Sequence, residues 1–227
     1  MTAQASIWIA DSLGYEFTDA DLLQQALTHR SANGPNNERL EFLGDAILDF
    51  VVSDVIYRSF PEASEGDLSK LRASLVKKSS LAGLAEQTGV GDFLVLGGGE
   101  RKSGGHRRNS ILADTLEALF GAVYLDSGYA AAEDVIKRVF GTRLVEFPAI
   151  DELRDPKTRL QEWLQARGFE LPQYGLLKVT GKAHNQRFEV QCSIQDGDQA
   201  AVGDGTSRRK AEQDAAMQML VVLGEDT

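Results

Sequence analysis

Asn37-Glu38-Arg39-Leu40-Glu41-Phe42-Leu43-Gly44-Asp45 is the stretch on which the reading of this chain turns. Its apolar residues recur at helical spacing. On a helix Glu38, Glu41 and Asp45 stand at i, i+3 and i+7, so their carboxylates share one face. Asp114 and Glu117 stand at i and i+3 on a second helical run, Ile111–Leu125. Like charges one turn apart weaken a helix by roughly a few tenths of a kcal/mol per pair. No Lys or Arg follows at compensating spacing. A local rule broken without a local remedy points to a site whose remedy is a bound cation.

Each of these residues has a plainer reading. Asn36 or Asn37 is a plausible helix N-cap, and Glu38 in the first turn is then favoured by the helix dipole as well as by any catalytic role. Glu41 and Asp45 lie deeper, where the alternative is a solvated face. Gly44 favours a site, because a glycine inside a helix costs about 1 kcal/mol and usually marks close approach by another backbone or a ligand. Asp114 and Glu117 sit in an otherwise apolar run, so a partner or a metal must satisfy them. Asp49 follows Asp45 at i+4 on the same face, and periodicity alone would recruit it too. Phe42 lies off the core stripe, either buried within its own domain or filling a pocket on a partner.

The 227 residues, 42% hydrophobic and 26% charged, suffice for one large domain or two small ones with a real core. A single cysteine, Cys192, excludes an intramolecular disulfide and suits a reducing cytoplasm. The N-terminal residues have neither a basic region nor a long apolar stretch, so neither a signal peptide nor a membrane anchor is expected. Three histidines, His29, His106 and His184, make a histidine-rich metal site a poor reading. Hard oxygen ligands point to Mg2+ or Mn2+ instead.

Net charge is −10, against the crude expectation for a nucleic-acid binder. Residues 1–150 carry 14 basic and 21 acidic side chains, and residues 151–227 carry 10 and 13, so neither part is basic. A polyanion must be met by local clusters. Arg101-Lys102 with Arg107-Arg108 is one, and Arg208-Arg209-Lys210 is the other.

The first 145 or so residues read as helical, through Leu22–Leu27, Leu40–Val52, Leu68–Leu84, Ile111–Leu125 and Ala132–Phe140, with no strand pattern. After Phe147-Pro148 the character changes. Asp155-Pro156 opens a helix to about Arg167 with Leu160, Trp163 and Leu164 as its apolar stripe. Strands follow near Tyr174–Thr180, Gln186–Ile194 and Gln199–Asp204, and a last helix runs from about Ser207. The expected architecture is an all-α N-terminal domain, a linker near 145–154, and a small α+β domain of order α-β-β-β-α.

NERLEFLGDAIL closely resembles the signature of bacterial ribonuclease III, and the resemblance continues through Ala26–Ser31, Glu65–Ser69 with Arg72-Ala73, and Gly104-Gly105 into Ser110–Ala118. The last seventy or so residues resemble that family's double-stranded-RNA-binding domain. The resemblance implies an endonuclease domain over 5–128, its terminal helix and a linker over 129–154, and an RNA-binding domain over 155–225. It implies that Glu41, Asp45, Asp114 and Glu117 bind the metal, with Asp45 and Glu117 catalytic. It also implies that Glu38 and Glu65 support the same valley and that Phe42 plugs a dimer. Asp49 matches no functional position. The implied activity is Mg2+-dependent cleavage of double-stranded RNA to 5′-phosphate and 3′-hydroxyl ends by a cytoplasmic homodimer, with Mn2+ as a substitute. Precursor rRNA and some mRNAs and tRNAs are the implied substrates.

In the last helix Arg208, Arg209 and Lys210 occupy the first turn after Ser207, where cations oppose the helix dipole. A phosphate bound there would satisfy both the side chains and the free backbone N–H groups. Thr158, Gln161, Glu162 and Gln165 form a polar stripe, usually mere surface but also suited to a minor groove lined with 2′-hydroxyls. The turn Gly181–His184 is placed to reach a second groove. Two other readings fit the same residues: a non-catalytic dimeric protein that binds double-stranded RNA, and a metal hydrolase of small phosphoesters. The first would lack one of the four carboxylates, and all four are present.

Overall fold

Element boundaries follow the local chemistry of the chain. A computed structural model describes residues 3–148, 155–182, 185–194 and 199–225. The first helices are α1 (Ala3–Leu13), α2 (Ala20–Ala26), α3 (Glu38–Ser59), α4 (Glu65–Val76) and α5 (Lys78–Thr88). The short α6 (Gly98–Lys102) and the long α7 (Asn109–Phe140) complete the unit. Asp19 caps α2 through the N–H of Asp21, and Ser64 caps α4 through that of Asp67. Gly89, left-handed at φ 73°, ends α5. Gly128, at φ 81°, kinks α7 between its two apolar stretches.

The chain divides into two compact units, Met1–Pro148 and Ala149–Thr227. In the first, α3 and α7 pack along one another and α5 lies against α7. Leu48, Leu71, Leu81, Leu84, Leu116 and Phe120 are fully buried there. The reason α3 and α7 come so close is a pair of glycines. A Cβ on Gly44 would collide with the carbonyl of Glu117, and one on Gly121 with that of Leu40. The approach expected at Gly44 is therefore that of another backbone, and it brings the acidic face of α3 to the acidic turn of α7.

Two helices differ from the sequence reading. The run Leu68–Leu84 is not continuous: Lys77, at φ −58° and ψ 146°, separates α4 from α5. The α1 helix had not been expected as an element, although Ala5, Ile9 and Leu13 bury one side of it. The unit also extends beyond the expected start of the linker, since Phe147 packs edge-to-face on Phe60. Residues 149–154, the rest of the linker, lie outside the described residues.

The second unit has the expected α-β-β-β-α order: α8 (Pro156–Ala166), β1 (Gln173–Thr180), β2 (Arg187–Ile194), β3 (Gln199–Gly205) and α9 (Arg208–Val222). Pro156 sits in the first turn of α8, capped by Asp155. The sheet is antiparallel in the order β1-β2-β3, with Val190 opposite Leu176 and Gly203. Val190, Cys192 and Ile194 on alternate positions of β2 join Leu160, Leu164, Ala215, Ala216 and Met219 in the core. Small residues let α9 lie close on the sheet. A Cβ on Gly203 would strike the backbone of Ala215, and one on Gly205 that of Ala211.

Candidate active site and nucleic-acid interface

The glycine contact between α3 and α7 has a direct electrostatic consequence. Glu41 of α3 and Asp114 and Glu117 of α7 each offer an oxygen within 4.8 Å of the others. Glu117 is buried, while Glu41 and Asp114 are partly so. Burial pushes the Glu117 carboxyl up to about 8, aided by the charges of Asp45, Asp114 and Glu41. Burial also raises Glu41, again reinforced by Asp114 and by neighbouring acids. Carboxylates held together in this way carry an electrostatic cost that a cation relieves. Hard, convergent oxygens without a histidine suit Mg2+ or Mn2+.

Asp45 is exposed and is not one of the converging trio. Its charge is nevertheless the largest Coulombic influence raising Glu117, so it stands at the rim of the same field. Glu38 is exposed, paired with Arg30 at 3.4 Å, and its backbone N–H donates to Asn36 Oδ1. The side-chain cap is thus made by Asn36. Asn37 occupies the N-cap position without a capping bond, and its Nδ2 is buried with no partner among the described residues.

A polar cleft of about 570 Å³ opens beside the trio, with Arg30, Asn37, Arg108 and Ser110 in its wall. Arg108 is held by Glu100 at 2.8 Å. In the same loop Arg101 donates to the carbonyl of Leu94, while Lys102 and Arg107 face solvent. The first basic cluster is therefore divided between internal tethers and exposed charge.

Glu65 is elsewhere in this chain. It accepts a hydrogen bond from Ser69 and borders an apolar groove of about 380 Å³ with Phe50, Tyr57, Leu68 and Arg72. Phe42 projects from α3 at 79% exposure. Asp49 is partly buried, with Oδ1 unpartnered among the described residues, and burial raises its carboxyl while Arg72 opposes the shift.

Sequence reasoning missed Lys78. It opens α5 just after the break at Lys77, and its Nζ lies 2.6 Å from Asp114 Oδ1. The hydrogen bond to Asp114 raises the lysine above its ordinary value. The signal in the sequence was Lys77-Lys78-Ser79-Ser80, four polar residues that interrupt the apolar run Leu68–Leu84.

In the second unit Thr158, Gln161, Glu162 and Gln165 are all exposed on α8. Ser207 caps α9, its Oγ accepting from the N–H of Lys210. Arg209 is 82% exposed at its side chain, and Lys210 also faces solvent. Glu212 at i+4 binds Arg208 at 3.0 Å, and Asp155 lies 4.0 Å from Arg209. The unfavourable placement in the first turn therefore has a local remedy for Arg208. Glu212 also binds Lys157 at 2.6 Å, and Asp155 accepts from Gln213, which ties the start of α8 to the start of α9. These cations hold the Glu212 carboxyl below its ordinary value, Lys157 foremost. His184 lies outside the described residues.

Residues 19–144 match the family model described as ribonuclease-III-like, and residues 156–223 match the double-stranded RNA binding motif. A protein named ribonuclease 3 from Alkalilimnicola ehrlichii is 55% identical over 212 residues, 93% of each chain. The nuclease domain of ribonuclease III from Campylobacter jejuni is similar in structure, with a TM-score of 0.59 and 43% identity over 63% of this chain and 97% of that one. A second structure of that domain concerns flexibility in a region involved in its dimer formation. It gives a TM-score of 0.57 and 47% identity over 58% of this chain and 93% of that one.

Proposed function

This chain belongs to the ribonuclease III family, and from that premise we propose that Glu41, Asp45, Asp114 and Glu117 build its Mg2+-dependent catalytic site, with Mn2+ as a substitute. The protein is an endoribonuclease, a hydrolase, and it carries a double-stranded-RNA-binding domain. The observation that supports the metal reading most is the approach of Glu41, Asp114 and Glu117 oxygens within 4.8 Å of one another. Bound divalent ions supply an acidified water and charge stabilisation at the departing 3′-oxygen. Glu41 and Asp114 hold hard oxygens toward that position, and Asp45 and Glu117 orient the attacking water. Burial and the neighbouring acids raise the Glu117 carboxyl to about 8, so a bound cation would favour its charged form. Hydrolysis leaves 5′-phosphate and 3′-hydroxyl ends.

Duplex RNA is gripped through backbone and 2′-hydroxyl contacts by Thr158, Gln161, Glu162 and Gln165, by Ser207, Arg208, Arg209 and Lys210, and by His184. Recognition of this kind reads shape more than bases and suits precursor rRNA and structured mRNA and tRNA segments. The functional division that goes with it is 5–128 for the endonuclease, 129–154 for its terminal helix and linker, and 155–225 for RNA binding. A lone cysteine and the absence, among the described residues, of a helix able to cross a membrane are compatible with a cytoplasmic enzyme.

The active form is a homodimer in which Phe42 of one copy fills the groove of Phe50, Tyr57 and Leu68 on the other. An aromatic 79% exposed and an apolar groove on one chain are complementary surfaces for a two-fold pair. Glu65 borders that groove, so docking would carry it beside the partner's acidic helix. In sedimentation, Phe42→Glu is expected to give monomers of normal helical content, and a persistent dimer would remove the assignment.

Duplex and single-stranded RNA incubated with Mg2+ or with a chelator test the whole reading. Cleavage of the duplex alone, in Mg2+ alone, with 5′-phosphate products, is expected. Equal cleavage of single strands, or activity in the chelator, contradicts it.

A further inference from the structure

The acidic cluster has a cation of its own. Lys78 begins α5 because Lys77 breaks the backbone there, and the side chain crosses to α7, where Nζ meets Asp114 Oδ1 at 2.6 Å. The other cations along the adjoining cleft are engaged elsewhere, Arg30 with Glu38 and Arg108 with Glu100. Lys78 is the cation, among the described residues, whose charge reaches Glu41, Asp114 and Glu117 together. Its side chain is 63% exposed, so the ammonium has water within reach when it leaves Asp114.

We propose that Lys78 is the resident counter-ion of the cluster, a positioning residue that holds Asp114 when no metal is bound and is displaced from it as a divalent ion enters. This rests on the reading of the cluster as a metal site. An ammonium in contact with Asp114 and a divalent cation on the same carboxylate repel strongly at such range. The two states are therefore alternatives, and the lysine acts as a competitor that sets metal affinity. The flexible stem of lysine and its compact charge suit that exchange better than a planar, forked guanidinium would.

The test uses the full-length protein without RNA, and Mn2+ as the probe, followed by electron paramagnetic resonance. Lys78→Met is expected to tighten Mn2+ binding by about two- to fivefold, the scale of an exposed ion pair. Lys78→Arg, which keeps the charge, is expected to bind Mn2+ no more tightly than the unsubstituted protein. Thermal melts give the second readout. Lys78→Met should lower the melting temperature in a chelator and leave it unchanged in saturating Mg2+, whereas a merely structural lysine would lower both equally. Equal or weaker Mn2+ binding by Lys78→Met, or equal losses in both melts, overturns the proposal while leaving the metal site standing. Failure of the unsubstituted protein to bind Mn2+ overturns the metal site and the counter-ion with it.

Discussion

The acidic cluster of the helical unit and the basic end of α9 handle charge in opposite ways. In the cluster, like charges are forced together by backbone: Gly44 and Gly121 let two helices touch, and Glu41, Asp114 and Glu117 converge without a matching number of cations. At α9, unlike charges are distributed. Glu212 gathers Lys157 and Arg208, Asp155 stands 4.0 Å from Arg209, and the side chains of Arg209 and Lys210 face solvent. The first arrangement stores electrostatic strain that an ion can relieve, which is what a catalytic site requires. The second keeps mobile charge at low cost, which is what backbone binding of a polyanion requires.

The glycines offer the harshest way to break this contrast. Gly44→Ala and Gly203→Ala both drive a methyl group into a neighbouring helix backbone. Each is expected to destabilise its unit by about 3 kcal/mol or more, the upper end for overpacking. The consequences should differ: Gly44→Ala loses Mn2+ binding and cleavage, whereas Gly203→Ala loses duplex affinity and retains cleavage at low salt. Loss of both functions in both variants, by gel shift and cleavage assay, would mean the division of labour is wrong.

A smaller effect is expected at the exposed cations. Arg209→Ala and Lys210→Ala should weaken duplex binding at every sequence, and each should reduce the salt slope by about one if it meets a phosphate. Cleavage at saturating RNA should be unchanged. A salt slope that stays constant in both variants would show these residues to be solvated surface.

The pH dependence sharpens the comparison further. Glu117 has a folded value of about 8, above its ordinary 4.5, so the native state holds a proton that the unfolded chain releases. Its contribution to stability is fully present below about 4.5 and is lost as pH rises through about 8. Metal-free protein should accordingly melt at lower temperature as pH rises through that window, and Glu117→Gln should flatten the trend. The opposite slope in the substituted and unsubstituted proteins alike would place the controlling group elsewhere. Asp49→Asn gives the smallest expected change. Its Oδ1 is buried without a partner among the described residues, so removal of the charge should leave cleavage nearly intact and stability equal or slightly higher.

The sequence exposes some of this and conceals the rest for physical reasons. Phe188, Val190, Cys192 and Ile194 alternate with Glu189, Gln191 and Ser193, a pattern legible as a strand with one wet face, and β2 places Val190, Cys192 and Ile194 in the core. The i, i+3 and i, i+7 spacings showed which carboxylates share a helix face. They could not show that Glu41 meets Asp114 and Glu117 while Asp45 stands outside that trio, because this depends on the depth at which α3 crosses α7. Gly44 carried half of that information, and its counterpart Gly121 passed for ordinary apolar filling. Lys78 was invisible for a related reason. Its partner Asp114 is 36 positions away, and the polar stretch Lys77–Ser80 lies inside a run read as one helix. Glu212 shows the reverse case, since its i, i+4 relation to Arg208 is local and could have been read.

Glu117→Gln, measured for cleavage and for duplex affinity at one fixed salt concentration, tests the central claim most directly. The substitution preserves size and hydrogen-bonding capacity while removing a charge that metal binding requires. On the proposed reading duplex binding rests on α8 and α9 of the second unit, which the substitution leaves untouched. Cleavage should fall by orders of magnitude while affinity holds or rises modestly. Retained turnover with lost affinity would make Glu117 a binding or structural residue and would contradict the metal mechanism.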